Sequence, residues 1–558
     1  MKRYNKSLFV LLFAVLCILP TILYGQADTA WVRTYNGTGS GSDGTEAIVV
    51  DSLGYVYITG YSLGSGSWYD YTTIKYYPNG DTAWVRKYNG PGNLDDNVKA
   101  MAVDNQGNVY VTGSSMDSAV TRHYATIKYN SAGVQQWVRT YDGPGDYGDL
   151  AYAIAVDNGG YVYVTGSSSG LINADCVTIK YNSSGDTVWT RVYNGPSNDE
   201  DAGYAIALDG QGNVYVAGYT KDSISFHDFL LIKYNASGDT VWMRTYDNGS
   251  SDLAQAVAID NQNNIYITGS SNGLGSDGDF ATVKYNSAGT QQWVRRYNGP
   301  GNEADEVTKI AIDVQNNVYI TGNSAGVGYD EDYATIKYYP NGDTAWVRRY
   351  SEAESLDDEP YGLVVDNQCN VYVTGFSDSS ATGYDILTIK YDSLGNVRWL
   401  NRYSSAGDHD DAGQAIAVDN QGHVYVTGFI YNPPHYSDFI TIKYVQAQGV
   451  EEAIENCKLK IDNFSLYPNP AKTYFTIRLP QTACRRQSGF STSATDRSEI
   501  KIYDVMGKEI RCLRFDVASA PSTLRVTLDG IKNGIYFVKV GDEMVKEKLV
   551  VTKQEVDY

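Results

Sequence analysis

Cysteine, histidine, proline and positive charge are all scarce in this chain of 558 residues. Its 44 Lys and Arg face 65 Asp and Glu, and the formal charge of −21 excludes nucleic acid and anionic lipid as natural partners. Of the six cysteines, Cys17 lies in an N-terminal apolar run, and the remaining five are an odd number. They give no disulfide framework, although a bridge among Cys457, Cys484 and Cys512 stays open.

Catalytic signatures are missing as well. The sequence has no Gly-x-Ser-x-Gly, no His-Glu-x-x-His and no phosphate-binding loop. Its five histidines are scattered and have no metal-ligand spacing. We therefore predict a protein that is not an enzyme and that has no cofactor, apart from the weak Ca²⁺ binding considered below.

The N-terminus reads as an export signal. Lys2, Arg3 and Lys6 precede the apolar run Leu8–Leu19, and Gly25 offers a small residue for cleavage. This order is typical of a secretory signal peptide, which we assign to residues 1–25. No later stretch is apolar enough to cross a bilayer, so we expect no transmembrane segment in the mature chain.

Tyrosine and glycine are abundant, with 49 and 55 copies, and they favour strands and turns. A unit of 51 to 53 residues, marked by one tryptophan, recurs eight times. Periods near this length, with four short strands per unit, are typical of β-propeller blades. The eight tryptophans are Trp31, Trp84, Trp137, Trp189, Trp242, Trp293, Trp346 and Trp399.

The order of the strands predicts how the ring closes. Each unit runs from a Trp strand to an Ala-rich strand ending in Asp, a Val-Tyr strand and an Ile-Lys-Tyr strand. The chain enters the repeats on a Trp strand, Ala30–Tyr35, and leaves them on Ile442–Tyr444. We therefore predict an all-β fold in which residues 29–444 form an eight-bladed propeller, closed by an N-terminal strand, with the Ala-rich strands innermost.

These repeats resemble the bacterial beta-propeller repeat family (SBBP), whose units read Ala-Val-Asp-x-x-Gly-Asn-Val-Tyr-Val-Thr-Gly. The segments Asp104 to Gly113 and Asp157 to Gly166 carry the pattern clearly. The resemblance implies the propeller fold and leaves the activity open.

A different pattern follows a linker at residues 445–463. Residues 464–558 alternate in hydrophobicity between Gly and Asn breaks, which predicts a small Ig-like β-sandwich of about seven strands. Tyr467-Pro468-Asn469-Pro470, Gly534-Ile535-Tyr536 and Lys548-Leu549-Val550 resemble, in order, the type A sorting domain of the type IX secretion system. The resemblance implies that the secretion machinery is a partner and that the chain is extracellular or attached to the outer-membrane surface.

Two columns of carboxylates recur in the repeats, and we expect both on one face of the disc. The second column has an Asp five residues before the repeated Lys in seven units, and His123 in the remaining one. Both columns are candidates for divalent cation binding, above all weak Ca²⁺, or for capping turns and pairing with the Lys. The first column, our metal candidates, is Asp43, Asp96, Asp149, Asp201, Asp252, Asp305, Asp358 and Asp411.

Aromatic residues in the loops between second and third strands break the symmetry of the repeats. Trp68, Tyr69, Tyr384 and Tyr436 are candidates for stacking on sugar rings, and ordinary loop packing is the alternative. We therefore predict an exported, non-enzymatic binding or structural module for glycan or protein. The alternative is an extracellular polysaccharide hydrolase or lyase that uses carboxylates of the acidic face.

Overall fold

The protein divides into two compact units, residues 1–447 and 448–558. The described residues form strands, turns and bends, and none of them lies in a helix that could span a membrane. The predicted signal peptide and residues 447–463 of the predicted linker lie outside the described residues, whereas Val445 and Gln446 of that linker belong to the last strand of the propeller. In the first unit the computed structural model describes residues 27–446, with gaps at 40, 146–147, 171–172, 222–225, 274–275, 327–329, 353–356, 380–381, 408 and 433–435. In the second unit it describes the strands that lie between residues 466 and 551.

The first unit consists of β1 (Ala27–Tyr35) and eight sets of strands that follow one another along the chain. The first strands of the sets are β2 (Gly44–Val50), β6 (Asp96–Val103), β10 (Asp149–Val156), β14 (Asp201–Leu208), β18 (Asp252–Ile259), β22 (Asp305–Ile312), β26 (Asp358–Val365) and β30 (Ala412–Val418). The second strands are β3 (Val56–Leu63), β7 (Val109–Met116), β11 (Val162–Ser169), β15 (Val214–Thr220), β19 (Ile265–Gly273), β23 (Val318–Ala325), β27 (Val371–Ser379) and β31 (Val424–Tyr431).

The third and fourth strands complete these sets. The third strands are β4 (Tyr69–Tyr76), β8 (Arg122–Tyr129), β12 (Ala174–Tyr181), β16 (Asp228–Tyr234), β20 (Ser276–Tyr285), β24 (Glu331–Tyr338), β28 (Gly383–Tyr391) and β32 (Ser437–Gln446). The fourth strands, present in seven sets, are β5 (Thr82–Tyr88), β9 (Gln135–Tyr141), β13 (Thr187–Tyr193), β17 (Thr240–Tyr246), β21 (Gln291–Tyr297), β25 (Thr344–Tyr350) and β29 (Val397–Tyr403).

The eighth blade obtains its fourth strand from the N-terminus. Its order is β1-β32-β31-β30, and β1 runs antiparallel to β32 from the pair Ala27 and Gln446 to the pair Tyr35 and Phe439. Each first strand contacts the first strand of the next blade, and β2 contacts β30 to complete the ring. The predicted eight blades, the inner Ala-rich strands and the N-terminal closure are confirmed.

The turn between first and second strands has a residue with positive φ in all eight blades. In the second blade Gly107 has φ 75°, and its N–H donates to the carbonyl of Asp104 at 2.9 Å. Asn263, Asn316 and Cys369 take the same place with φ between 60° and 66°. The Asp carboxylate fixes the turn, since Asp104 accepts hydrogen bonds from the backbone of Gln106 and Asn108, each at 2.9 Å.

The tryptophan of a fourth strand joins its blade to the next blade. The indole N–H of Trp84 donates to the carbonyl of Ser131 at 3.2 Å, and Nε of Arg86 donates to the carbonyl of Gly133 at 2.5 Å. A Cβ on Gly133 would lie 2.8 Å from Cδ2 of Trp84, so the indole and the φ of 77° both require glycine. The same contact with a glycine of the following blade recurs at Trp31, Trp137, Trp189, Trp242, Trp293 and Trp346.

The repeated lysines belong to this same interlock between blades. Nζ of Lys75 donates to the carbonyl of Ser131 at 3.2 Å and lies 4.2 Å from the ring centre of Tyr55. Burial lowers the pKa of Lys75. The expected pairing of Lys75 with an Asp column is therefore wrong, because this ammonium group is held by a carbonyl and tyrosine rings. Six further lysines also donate to backbone carbonyl oxygens of the next blade: Lys128, Lys180, Lys233, Lys284, Lys337 and Lys443.

The contact between the seventh and eighth blades differs because β1 and β32 are the two ends of the propeller and no hairpin joins them. The position that carries Arg in the other Trp strands is Asn401 here, and its Nδ2 donates to the carbonyl of Ala27 at 2.7 Å. Lys390 donates to the side chain of Gln446 instead of a hairpin carbonyl. The one exception to the Arg pattern therefore coincides with the closure of the ring.

The second unit has eight described strands, where about seven were predicted, in two antiparallel sheets. One sheet has the order β33-β34-β37, and the other has the order β36-β35-β38-β39 with β40 also paired to β38. The strands are β33 (Leu466–Tyr467), β34 (Tyr474–Arg478), β35 (Arg497–Asp504), β36 (Glu509–Asp516), β37 (Thr523–Thr527), β38 (Gly534–Val540), β39 (Glu543–Met544) and β40 (Leu549–Val551).

Deletion of residues 27–35 should lower the melting temperature of the propeller strongly. The deletion removes the buried side chains of Ala27 and Trp31 and exposes the edge of β32. Loss of one packed tryptophan alone costs about 3–5 kcal/mol. Calorimetry of the deleted chain should show this loss, and a peptide with the sequence of residues 27–35 should restore part of it. An unchanged melting temperature would refute the closure.

Candidate functional site

The loops before the first strands and the loops between second and third strands share one face, which we call the loop face. Asp43 shows how they meet, since it ends the first kind of loop in the first blade. Its Oδ1 accepts the backbone N–H of Leu63, at the end of β3, at 2.9 Å. Its own N–H donates to the carbonyl of Ser437, at the start of β32 in the neighbouring blade, at 2.7 Å.

The first Asp column lies beneath this face and is buried. Each of its eight carboxyl groups has an exposed fraction of 1% or less, and each accepts a backbone N–H from the loop before its strand. Asp149 is representative, with N–H bonds from Gly143 at 2.8 Å and Ser169 at 3.0 Å. Such hydrogen bonds are those expected if the Asp residues cap the turns. Cation binding by the column stays a prediction.

Burial shifts the titration of this column. The pKa values of Asp43, Asp96, Asp252 and Asp358 are raised to about 6, mainly because burial disfavours the charged form, while backbone N–H bonds partly oppose the shift. The pKa values of the remaining four members are also raised by burial: Asp149, Asp201, Asp305 and Asp411.

The second Asp column has different partners in different blades. Arg296 contacts Asp279 at 2.7 Å, and Arg402 contacts Asp385 at 3.0 Å. Asp70 accepts a hydrogen bond from the hydroxyl of Ser67 at 3.0 Å. These contacts hold the ends of the third strands in place. They also compensate part of the negative charge of the loop face.

The predicted aromatic residues all belong to the loop face, and they differ in exposure. Trp68 and Tyr436 are exposed by 59% and 57% of their surface. Tyr69 is half-buried against Tyr61, with ring centres 5.3 Å apart, and Tyr384 is half-buried with its ring centre 4.4 Å from that of Phe376. Trp68 and Tyr436 are therefore the two of this set that can meet a ligand directly.

Sequence reasoning missed one exposed aromatic residue of the same kind. Phe226 lies just before β16, in a loop between second and third strands, and is exposed by 67% of its surface. Phe226 could have been predicted from the sequence, because it is an aromatic residue in a polar loop and breaks the repeat in the same way as Trp68.

Every first strand has a bulge three residues after its column position. In the second blade Val98 pairs with Gly113 and Ala100 pairs with Thr112, so Lys99 is an extra residue. These residues are half-buried or exposed and lie on the innermost strands, around the axis of the propeller. We call the set the bulge ring: Glu46, Lys99, Tyr152, Tyr204, Gln255, Thr308, Tyr361 and Gln414.

Neighbouring members of the bulge ring contact one another. Nζ of Lys99 lies 2.8 Å from Oε1 of Glu46, and the rings of Tyr152 and Tyr204 meet edge to face with centres 4.9 Å apart. An aromatic row continues outward from Tyr204 to Tyr219, at 5.5 Å, and from Tyr219 to His227, at 4.8 Å. In this blade the bulge ring is thus joined to the loop between the second and third strands by packed aromatic side chains.

A carboxyl pair lies beside the bulge ring at the sixth and seventh blades. Burial and the negative charge of the neighbouring Glu331 raise the pKa of Glu359 to about 7. The hydroxyl of Tyr361 donates to Oε2 of Glu359 at 2.7 Å, and Nδ2 of Asn323 donates to Oε2 of Glu331 at 2.7 Å. A carboxyl group with this pKa can exchange a proton near neutral pH.

Two family models match the chain, and they match different units. The beta-propeller repeat model matches residues 83–116, 188–224, 247–275 and 292–329. The secretion system C-terminal sorting domain model matches residues 465–552. The chain therefore contains beta-propeller repeats and a type IX C-terminal sorting domain. Both resemblances read from the sequence are confirmed.

Individual proteins are similar at low identity. An uncharacterised WD repeat-containing protein of Acanthamoeba polyphaga mimivirus is 24% identical over 451 residues, which are 65% of this chain and 31% of that protein. The structure of Sqt1 from Chaetomium thermophilum matches at 10% identity and a TM-score of 0.46, covering 76% of this chain and 100% of that one. The polysaccharide lyase Uly1 matches at 10% identity and 0.39, covering 74% and 92%.

The buried carboxyl column predicts that the propeller is more stable at pH 5 than at pH 7. A carboxyl group whose pKa rises from 3.8 to about 6 on folding binds its proton more tightly in the folded state. The stability that protonation adds is therefore complete below about pH 4 and is lost as the pH rises through 6. Melting curves should show this slope, and Asp96→Asn should reduce it. Stability that rises from pH 5 to pH 7 would contradict the assignment.

Proposed function

We propose that the propeller is a non-enzymatic binding module that holds a glycan on the loop face, over the bulge ring. The observation that carries the proposal is the variety of the bulge ring. Its eight equivalent positions hold five residue types, whereas the Asp of the first column and the Trp of the outer strands are the same in every unit. Positions that serve the fold repeat, and this one does not.

The chemistry of the bulge ring suits a carbohydrate. Tyr152, Tyr204 and Tyr361 offer aromatic surface on which sugar rings stack. Glu46, Lys99 and the two glutamines add charged and amide groups that bond to hydroxyls. The exposed Trp68 and Tyr436 extend the aromatic surface into the loops. A protein partner is the other ligand that such a surface would accept.

Export brings this surface to polymers outside the cell. The sorting domain supports export of the chain to the outer-membrane surface or the medium. Attachment at the surface would present the propeller to glycans outside the cell. We infer that the second unit serves transport and that the propeller serves binding.

A second candidate is the hydrolase or lyase considered from the sequence. The carboxyl pair of Glu331 and Glu359 favours it, because the raised pKa of Glu359 and the adjacent Tyr361 hydroxyl are suited to general acid or base chemistry. The pair lies at the loop face beside the bulge ring. An enzyme and a binding module would therefore use the same surface.

A glycan array with the purified chain tests the binding function. We expect binding that Tyr204→Ala weakens about tenfold or more with little loss of stability, because Tyr204 is half-buried and not part of a blade core. Tyr339→Ala is the control and should leave binding unchanged, because Tyr339 is exposed by 49% of its surface in the hairpin between β24 and β25, away from the loop face. An assay for sugar fragments released from each bound glycan separates the two candidate functions. Release that Glu359→Gln abolishes would favour the hydrolase or lyase over the non-enzymatic binding module.

Truncation after Asn463 tests the role of the second unit. The truncated chain keeps the whole propeller, so we expect a folded protein that stays in the periplasm. Cell fractionation with surface protease treatment would locate it, and the intact chain is the control. Surface display of the truncated chain would refute the assigned role of the sorting domain.

A further inference from the structure

The residue that follows the Tyr of each outer strand differs between units in a way that the fold does not require. It is Asn36, Asn89, Asn194 or Asn298 in four units and Ser351 or Ser404 in two. Only Asp142 and Asp247 are acidic there. Each of these two lies beside one residue from the first column and one residue from the second. The three side chains together form a group that could ligate a metal ion.

The group at Asp142 contains an imidazole. The ligand atoms of His123, Asp142 and Asp149 lie within 4.8 Å of one another. Nδ1 of His123 is buried and has no hydrogen-bond partner, although Oδ1 of Asp142 is only 3.2 Å away. Nδ1 of His123 and Oδ1 of Asp142 are thus close together without forming a hydrogen bond. Two ligands of the same metal ion have this arrangement.

The other nitrogen of this imidazole is held in the manner of metal-bound histidines. Nε2 of His123 lies 3.3 Å from Oδ2 of Asp117. Asp117 is itself fixed, because its Oδ1 accepts the backbone N–H groups of Ala119 at 2.8 Å and Thr121 at 3.1 Å. A proton on Nε2 leaves the lone pair of Nδ1 directed toward the carboxylates, and such a carboxylate support is usual behind ligating histidines.

The remaining ligands combine one fixed and one adjustable carboxylate. Asp149 is buried and held by the backbone of Gly143 and Ser169. The side chain of Asp142 is exposed by 65% of its surface and can turn. Bonds of about 2.1 Å to a tetrahedral ion need ligand atoms about 3.4 Å apart. The ligand atoms of this group lie within 4.8 Å of one another, and rotation of the Asp142 side chain would adjust the remaining distances.

We propose that His123, Asp142 and Asp149 bind a divalent transition-metal ion, Zn²⁺ above all, between the second and third blades. One imidazole with two carboxylates suits Zn²⁺ better than Ca²⁺, which takes oxygen ligands alone. The equivalent group of Asp228, Asp247 and Asp252 has three carboxylates and prefers Ca²⁺. The metal-free alternative is an imidazole of His123 that pairs directly with Asp117 and Asp142.

Titration calorimetry of the full chain, freed of metal by a chelator, tests the proposal with Zn²⁺, Mn²⁺ and Ca²⁺. Asp142→Asn places the commonest residue of the repeat at this position, so it should preserve the fold and weaken Zn²⁺ binding about 100-fold. Asp247→Asn is the matched control and should leave Zn²⁺ binding unchanged. His123→Asp installs the residue of the other seven units and should exchange the preference for Zn²⁺ for one for Ca²⁺.

Melting temperatures give a second measurement that does not depend on any activity. Zn²⁺ should raise the melting temperature of the intact chain and of Asp247→Asn, and it should not raise that of Asp142→Asn. Equal Zn²⁺ binding by all variants would overturn the proposal, because the ion would then bind elsewhere. Absence of Zn²⁺ binding to the intact chain would overturn it in favour of the direct pairing of His123 with Asp117 and Asp142.

Discussion

The fold depends on one contact, in which the outer strand of a blade reaches over the last hairpin of the next. The indole of Trp84, the guanidinium of Arg86 and the ammonium of Lys75 all meet the turn that contains Gly133. The contact needs a glycine with positive φ and a nearby carbonyl, which explains the repetition of these residues. No hairpin exists where the ring closes. There Asn401 bonds to the carbonyl of Ala27, and Gln446 accepts the hydrogen bond of Lys390.

This interlock leaves the loop face free for function. The carboxyl groups of the first Asp column accept hydrogen bonds from the backbone of the loops and are buried. The acidic residues of the sequence therefore do not all lie at the surface. The side chains presented near the axis are those of the bulge ring, from Glu46 and Lys99 to Gln414. The constant residues hold the blades together, and the variable ones are available to a ligand.

The repeat made the architecture predictable from the sequence. Tryptophan spacing gave the eight blades, and the strand types at the two ends gave the closure by β1. The bulge ring was not predicted, because a bulge shifts the register by one residue and has no residue type of its own. The lysine partners were predicted wrongly since Lys75 reaches a carbonyl of the neighbouring blade, a contact that depends on blade packing and not on spacing within one unit.

The central claim is that ligand binding uses the loop face and the bulge ring. Hydrogen exchange measured with and without a bound glycan tests it most directly, since exchange is read at every strand. We expect protection of the inner strands around Lys99, Tyr204 and Tyr361 and of the loops at Trp68 and Tyr436. Protection confined to the turns of the opposite face, such as that at Gly107, or to the outer strands would contradict it.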